Sequence, residues 1–131
     1  MNCVFCEILA GKLPCRKVWE NERFIAIFPL AHVNPGHTLL IPRNHVDYVF
    51  DLEHDVYREL WEQASMLSEP IRTATGAKRI GIAVEGFSVP HVHVHLVPIN
   101  NVGELDPNRE KQVPDAEADR LRAAIAANLP T

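Results

Sequence analysis

The segment from His91 to Pro98 constrains this chain more than any other, because three histidines alternate in it with Val92, Val94 and Leu96. Successive side chains of a β-strand point to opposite faces, so the alternation predicts a strand with all three imidazoles on one face. The opposite, aliphatic face is suited to a hydrophobic core. A row of imidazoles spaced about 6.5–7 Å apart can bind a metal ion or hold a phosphoryl group. The alternative is a half-buried strand whose polar face happens to be histidine.

Composition limits the class of protein. The chain has 131 residues, of which 47% are hydrophobic, and this predicts one globular domain. A net charge of −4 argues against a nucleic-acid polymer as partner and leaves a small anionic ligand open. We expect no signal peptide and no membrane span, since no apolar run approaches about 18 residues. Three cysteines, an odd number, favour a reducing, cytoplasmic location over a disulfide framework.

Two of the cysteines stand close together near the N-terminus. Cys3 and Cys6 fall one turn apart in a predicted short helix that ends at Gly11, so both thiolates can face one point. A redox Cys-x-x-Cys pair normally follows a strand in a βαβ unit, and no strand precedes this one. The pair therefore indicates half of a zinc site whose other ligands come from elsewhere in the chain. Cys15 is interpreted as an ordinary cysteine.

The remaining elements follow from periodicity and turn residues. One long helix is predicted from about Leu52 to Thr75, with Asp51 as N-cap and Gly76 closing it. Pro70 is expected to kink or interrupt this helix near residues 67–68. A final helix is predicted over 115–128. Strands are predicted over 16–20, 23–28, 37–42, 78–84 and 91–99.

This order of elements predicts an α+β fold: a five-stranded antiparallel sheet covered by one long helix, with short N-terminal and C-terminal helices. The last two strands are expected to pair antiparallel across their short connection. We expect residues 1–131 to form a single domain, with a core over 3–99 and a C-terminal helical tail over 113–129.

Several segments resemble one known family. The string His91-Val92-His93-Val94-His95-Leu96-Val97 resembles the His-φ-His-φ-His-φ-φ signature of the histidine triad (HIT) superfamily. Residues 3–8 resemble the N-terminal zinc half-site of many bacterial members. Residues 34–42 resemble the family's Pro-Gly-His strand, and 43–45 resemble the loop that gives a third zinc ligand. The similarity covers about residues 3–98.

The resemblance implies a nucleotidyl hydrolase or transferase that acts on a nucleoside phosphoramidate or a dinucleoside polyphosphate. His93 would attack the α-phosphorus and form a nucleotidyl-histidine intermediate, for which imidazole is well suited. His95 would contact the phosphate or protonate the leaving group, and His37 would hydrogen-bond within the histidine cluster. The small-molecule nucleotide would lie against Ser88, Val89, His93 and His95. The resemblance also implies a homodimer.

The resemblance further implies a structural, tetrahedral zinc site. Independently of the family, two cysteines one turn apart need two more ligands, and the histidine row and the loop after residue 42 can supply them. The alternative is a catalytic metal held by the three histidines of the row. The implied structural ligands are Cys3, Cys6, His45 and His91.

The sequence departs from the family pattern around the nucleoside. Pro29 stands where an Asp or Asn usually contacts the ribose, and Phe87 stands where Gln usually follows Gly. Ile99 replaces a common Arg. These changes predict retained histidine chemistry with relaxed or altered substrate preference. They also keep a second function open: a zinc-stabilised nucleotide-binding or protein-interaction module with little or no turnover.

Overall fold

Five strands and three α-helices make up the fold of residues 3–130. The computed structural model describes residues 3–130. The strands are β1 (Arg16–Glu20), β2 (Phe24–Phe28), β3 (Thr38–Pro42), β4 (Arg79–Ala83) and β5 (Val94–Ile99). The helices are α1 (Val4–Leu9), α2 (His54–Thr75) and α3 (Asp115–Asn128). The strands form one sheet in the order β1-β2-β3-β5-β4, with every neighbouring pair antiparallel. The predicted α+β fold is confirmed.

Helices α2 and α3 cover one face of the sheet and enclose the larger core. Leu60, Leu67 and Ile71 of α2 are fully buried there, and Leu121 and Ile125 of α3 join the same cluster. Burying a side chain of this size stabilises the fold by about 1.5–3 kcal/mol. The C-terminal helix is therefore part of the main core, packed against α2 and β1.

The short helix α1 lies on the other face of the sheet and covers a smaller core. Phe5 is buried there, with Cys3 at the helix N-cap. The strand residues beneath them are Ile25, Ile27, Leu39 and Ile41. The candidate functional groups lie on this face.

The long helix differs from its prediction in two ways. It begins at His54 rather than near Leu52, and Glu53 rather than Asp51 occupies its N-cap. Asp51 instead ends a short 3-10 helix over Val49–Asp51. The helix also runs through Pro70 without interruption. The lost hydrogen bond and ring clash cost about 3 kcal/mol, and the burial of apolar residues on both sides of the proline outweighs this cost. No helix in residues 3–130 is both long and apolar enough to cross a membrane.

The histidine segment also differs from its prediction, because β5 begins at Val94 and not at His91. The main chain before it leaves the sheet: the Val92 N–H donates to the Val46 carbonyl at 2.7 Å. The alternation nevertheless extends beyond the strand. Val92, Val94 and Leu96 all pack into the larger core, so the histidines between them face the other way.

A tight turn leads into β3 and sets the position of His37. The His37 N–H donates to the Asn34 carbonyl at 3.0 Å, with Pro35 and Gly36 in the centre of the turn. Gly36 has a φ of 98°, which favours glycine. A Cβ atom on Gly36 would also lie 2.4 Å from Cγ2 of Thr75 at the end of α2. This position therefore requires glycine for two reasons.

Candidate functional site

Four side chains from separate parts of the chain converge beside α1. Cys3 and Cys6 come from the start of α1, His45 from the loop after β3, and His91 from the segment before β5. The Nδ1 atom of His91 lies 3.4 Å from Sγ of Cys3, 3.5 Å from Sγ of Cys6 and 3.2 Å from Nδ1 of His45. Sγ of Cys6 lies 3.3 Å from Nδ1 of His45. All four donor atoms lie within 4.8 Å of one another.

These four donor atoms have the spacing of a metal site. Tetrahedral zinc, with bonds of about 2.3 Å to sulfur and about 2.0 Å to nitrogen, separates its ligand atoms by roughly 3.3–3.8 Å. Nε2 of His91 lies 2.7 Å from the Pro42 carbonyl oxygen. Because a carbonyl only accepts, Nε2 carries the proton and Nδ1 keeps a lone pair toward the cluster. The donor set fits a soft, tetrahedral cation such as zinc.

His93 follows with a different hydrogen-bond partner. Its Nδ1 lies 2.8 Å from the main-chain carbonyl oxygen of His91, so Nδ1 carries the proton of the neutral ring and Nε2 keeps a lone pair. The Phe5 ring packs edge-on against it at a centroid distance of 4.9 Å. Burial lowers the pKa of His93, which favours the neutral ring. A buried neutral imidazole with a free nitrogen is a candidate nucleophile.

His95 and His37 form a hydrogen-bonded pair. Nε2 of His37 lies 2.9 Å from Nδ1 of His95, and Nδ1 of His37 accepts the Val33 N–H at 3.0 Å. Because Nδ1 of His37 accepts this N–H, it carries no proton of its own. The neutral His37 ring is therefore protonated at Nε2 and donates to His95. Neutral His95 therefore carries its proton on Nε2. Burial and then the neighbouring His95 lower the pKa of His37 to about 3. Burial and then His93 lower the pKa of His95 to about 4.

Two side chains at the site are absent from the sequence-based set. His32 is 2% exposed, accepts the Gly36 N–H through Nδ1 at 3.3 Å, and packs edge-on against Phe28 at a centroid distance of 5.0 Å. Burial and then Arg16 lower its pKa to about 4. The spacing of His32 and His37, five residues apart around Pro-Gly, was an available signal. Phe5 is the second, and its place between the two cysteines was the only hint.

The remaining predicted positions lie around this row. Ser88 is exposed in the loop before the histidines, and Val89 packs against the smaller core. Phe87 is 93% exposed in the same loop. Pro29 directly follows β2. Cys15 follows α1 in the chain. Its side chain is exposed and is not part of the four-residue cluster.

The arrangement separates two kinds of chemistry along one row. His91 turns a nitrogen lone pair toward two thiols, which suits metal binding. His93 keeps a free nitrogen, and His95 keeps a proton on the nitrogen that does not face His37. A nucleophile beside a proton donor is an arrangement suited to group transfer.

Comparisons with known proteins agree with this geometry. The model of the HIT domain family matches residues 10–102. Protein hit of Bacillus subtilis is 32% identical over 108 residues, covering 79% of this chain and 74% of the relative. Adenylylsulfatase HINT3 of Arabidopsis thaliana is 28% identical over 102 residues, covering 74% of this chain and 52%, about half, of that longer relative.

A solved structure extends the likeness to the whole fold. It is a Zn-bound histidine triad family protein from Mycobacterium smegmatis, similar with a TM-score of 0.81 and 29% identity. The alignment covers 97% of this chain and 95% of that one. From the family match, the fold and the row of three alternating histidines, we conclude that this chain is a member of the HIT domain family.

Proposed function

We propose that this protein is a nucleotidyl hydrolase or transferase that acts at the α-phosphate of a small nucleotide through a covalent nucleotidyl-histidine. The observation that carries the proposal is the hydrogen bond between Nδ1 of His93 and the His91 carbonyl oxygen. It leaves the neutral His93 ring with a lone pair on Nε2, which is the requirement for a nucleophile at neutral pH.

In the first step, Nε2 of His93 attacks the α-phosphorus and a P–N bond forms. The bond from phosphorus to the leaving group breaks, and its electron pair stays on the leaving nitrogen or oxygen. The Nε2–H of neutral His95 donates a hydrogen bond to that atom as charge develops on it, and the departing group takes its proton from solvent. The pKa of His95, lowered to about 4, keeps its ring neutral at pH 7, and His37 holds that ring through a hydrogen bond to Nδ1.

In the second step, a water molecule or another acceptor attacks the phosphorus of the nucleotidyl-histidine. The P–N bond breaks with its electron pair returning to Nε2 of His93. The attacking water loses its proton to solvent, so that His93 and His95 both end the cycle as neutral rings. Ser88 and the loop amides around Val89 would contact the phosphate oxygens.

The leaving group defines the substrate class. A nucleoside phosphoramidate and a dinucleoside polyphosphate both present an α-phosphorus bonded to a group that departs more easily when protonated. Adenylylsulfatase activity in a relative adds adenylyl sulfate to the panel of substrates to be tested. Pro29, after β2, and the exposed Phe87 support a preference that differs from the common family pattern.

We also propose that zinc occupies the cluster formed by Cys3, Cys6, His45 and His91. Zinc there would supply a structural cross-link between α1, the loop after β3 and the histidine segment. The side chain of His91 belongs to the cluster, whereas its main-chain carbonyl accepts the Nδ1–H of the proposed nucleophile His93. The zinc-bound relative supports the identity of the metal.

We propose that the protein forms a homodimer. Within residues 3–130, β4 pairs with β5 alone, so its outer edge presents unpaired main-chain groups. Ile82 on this strand is 47% exposed, and an aromatic row from Phe50 through Tyr57 to Trp61 runs along the start of α2. A second copy pairing along β4 would cover the strand edge.

Intact-protein mass spectrometry after brief incubation with each substrate tests the mechanism. His93→Asn is the matched variant, because its amide nitrogen can replace the Nδ1–H bond to the His91 carbonyl while no nucleophilic nitrogen remains. A mass increase of one nucleotidyl group in wild type only is expected. An adduct that persists in His93→Asn contradicts the assignment. Ligand binding by thermal shift without adduct or turnover would favour the binding-module function.

A further inference from the structure

His32 lies beside the histidine row and is held there by its main chain. Its N–H donates to the Lys111 carbonyl and its carbonyl accepts the Lys111 N–H, both at 2.9 Å. Its side chain is buried between Phe28 and His37, with ring centroids 5.0 and 6.3 Å away. A polar ring buried in this way costs free energy unless it is hydrogen-bonded, so its partner identifies its role.

That partner is the turn that carries His37. Nδ1 of His32 accepts the Gly36 N–H at 3.3 Å, and Nδ1 of His37 accepts the Val33 N–H at 3.0 Å. Both bonds span the turn of residues 33–36. In one, the N–H at the end of the turn donates back to His32, and in the other, the N–H at its start donates forward to His37. Each fixes one ring with a bare Nδ1 and, in the neutral form, a proton on Nε2. The position of the Val33 N–H therefore depends on the turn that His32 holds from the other side.

The Val33 N–H in turn decides which nitrogen of His37 carries its proton. With Nδ1 occupied as an acceptor, His37 donates through Nε2 to Nδ1 of His95 at 2.9 Å. His95 must then accept at Nδ1 and carry its own proton on Nε2. If the turn shifted and the Val33 bond broke, His37 could be protonated on Nδ1 and the orientation of both rings would be lost.

We propose that His32 is a positioning residue: by holding the turn of residues 33–36 it keeps the proton of His37 on Nε2 and so presents His95 as a donor through its own Nε2. The C-terminal segment supports the same turn, because Nη2 of Arg109 donates to Oδ1 of Asn34 at 2.9 Å. This positioning role of His32 depends on the proposed function in one respect only, namely that His95 donates to a leaving group.

The test separates ring protonation from activity. Long-range 1H–15N spectra of histidine-labelled protein show which ring nitrogen is protonated at neutral pH. In wild type, His32 and His37 are both expected as Nε2–H tautomers. If the wild-type spectra show a protonated Nδ1 on either ring, the proposal is wrong, and no variant is needed to show it.

Two substitutions then test the effect of the acceptor. His32→Leu introduces an apolar side chain of similar size and removes the acceptor, whereas His32→Asn keeps an acceptor oxygen near the position of Nδ1. His32→Leu is expected to lose the single His37 tautomer and to lower kcat about 10- to 100-fold, as a small misplacement of a reacting group does, with KM changed much less. His32→Asn is expected to restore the tautomer and most of kcat. His54→Leu, at the exposed start of α2, is the matched control.

The outcomes are distinguishable from failure of the proposed function. If wild type turns over no nucleotide, the tautomers of His37 and His95 in wild type and His32→Leu still decide the role of His32. If His32→Leu does not fold, His32→Asn decides: loss of the single His37 tautomer in this variant, which keeps the acceptor, contradicts the proposal. A folded His32→Leu that keeps His37 as the Nε2–H tautomer, with unchanged kcat, contradicts the proposal.

Discussion

Nδ1 of His93 lies 2.8 Å from the main-chain carbonyl oxygen of His91, so one residue serves both halves of the site. The side chain of His91 faces the Cys3 and Cys6 thiols, while its carbonyl orients the neighbouring imidazole. A disturbance of the cluster is therefore transmitted to His93 through one residue, with no intervening side chain.

Removing one thiol should empty the proposed zinc site. We expect Cys6→Ser to lose most of the one zinc ion per chain that wild type binds, because a serine hydroxyl is a poor zinc ligand. The melting temperature should fall by at least about 5 °C, corresponding to the loss of one or more kcal/mol. Metal analysis and calorimetry measure both effects. Cys15→Ser, outside the cluster, should keep the zinc. Equal zinc content in the two variants would contradict the site.

The role of His95 predicts a dependence on the leaving group. His95→Asn keeps an acceptor near Nδ1 for His37 and removes the proton donor at Nε2. For a phosphoramidate, whose poor leaving group depends most on a donor at the departing atom, we expect kcat to fall by about 10²- to 10³-fold. For a nucleotide with an acidic phenol as leaving group, the loss should be much smaller. Steady-state rates over a series of leaving groups measure the difference, and an equal loss across the series would exclude hydrogen-bond donation from His95 to the leaving group.

The buried His32 predicts a dependence of stability on pH. Its pKa is lowered to about 4, whereas an unfolded chain has a histidine pKa of about 6.5. Above pH 6.5 both states are neutral, and below it the unfolded state binds the extra proton. The contribution of His32 should therefore shrink by up to about 1.4 kcal/mol per pH unit as the pH falls from 6.5 toward 4.

Urea denaturation of wild type and His32→Asn at pH 7.5 and 5.5 measures this effect. All other ionisable groups are common to the two proteins, so their contribution largely cancels in the difference. We expect the stability advantage of wild type to be smaller at pH 5.5. A difference in unfolding free energy that stays the same at both pH values would show that His32 is protonated alike in the two states.

The close approach of Gly36 to α2 predicts a coupled pair of substitutions. Gly36→Ala should destabilise the protein by about 2 kcal/mol or more, because its Cβ would lie 2.4 Å from Cγ2 of Thr75 and its φ is positive. Thr75→Ser removes that methyl group and keeps the hydroxyl that donates to the Ile71 carbonyl. The double variant should recover part of the loss. Strictly additive free energies in a double-mutant cycle would show that the two positions do not meet.

The exposed edge of β4 predicts the effect of a charge. Ile82→Asp should convert the proposed dimer to a monomer, since a charge in a strand-to-strand interface is strongly unfavourable. Light scattering after size exclusion measures the mass, and circular dichroism checks the fold. Ile82→Val is the matched control and should remain dimeric. A wild-type protein of monomer mass at all concentrations would contradict the dimer.

Family membership, the order of elements and the antiparallel sheet followed from the sequence, because they depend on local patterns. The boundaries of β1 to β4 agree with prediction to within a residue, since alternating or continuous apolar runs mark them clearly. The errors lie where tertiary contacts override local preference. Pro70 stays inside α2 because its buried neighbours hold the helix together, and the segment before Val94 leaves the sheet to bond Val46.

The alternation of histidine with aliphatic residues by itself determined which face of the chain carries the imidazoles, because side-chain direction along an extended backbone has a period of two. It could not determine which nitrogen of each ring is free. That depends on single main-chain atoms brought near by the fold: the carbonyl of Pro42 for His91, the carbonyl of His91 for His93, and the N–H of Val33 for His37. The tertiary structure alone decided these contacts, because a hydrogen bond depends on atomic positions that no sequence pattern specifies.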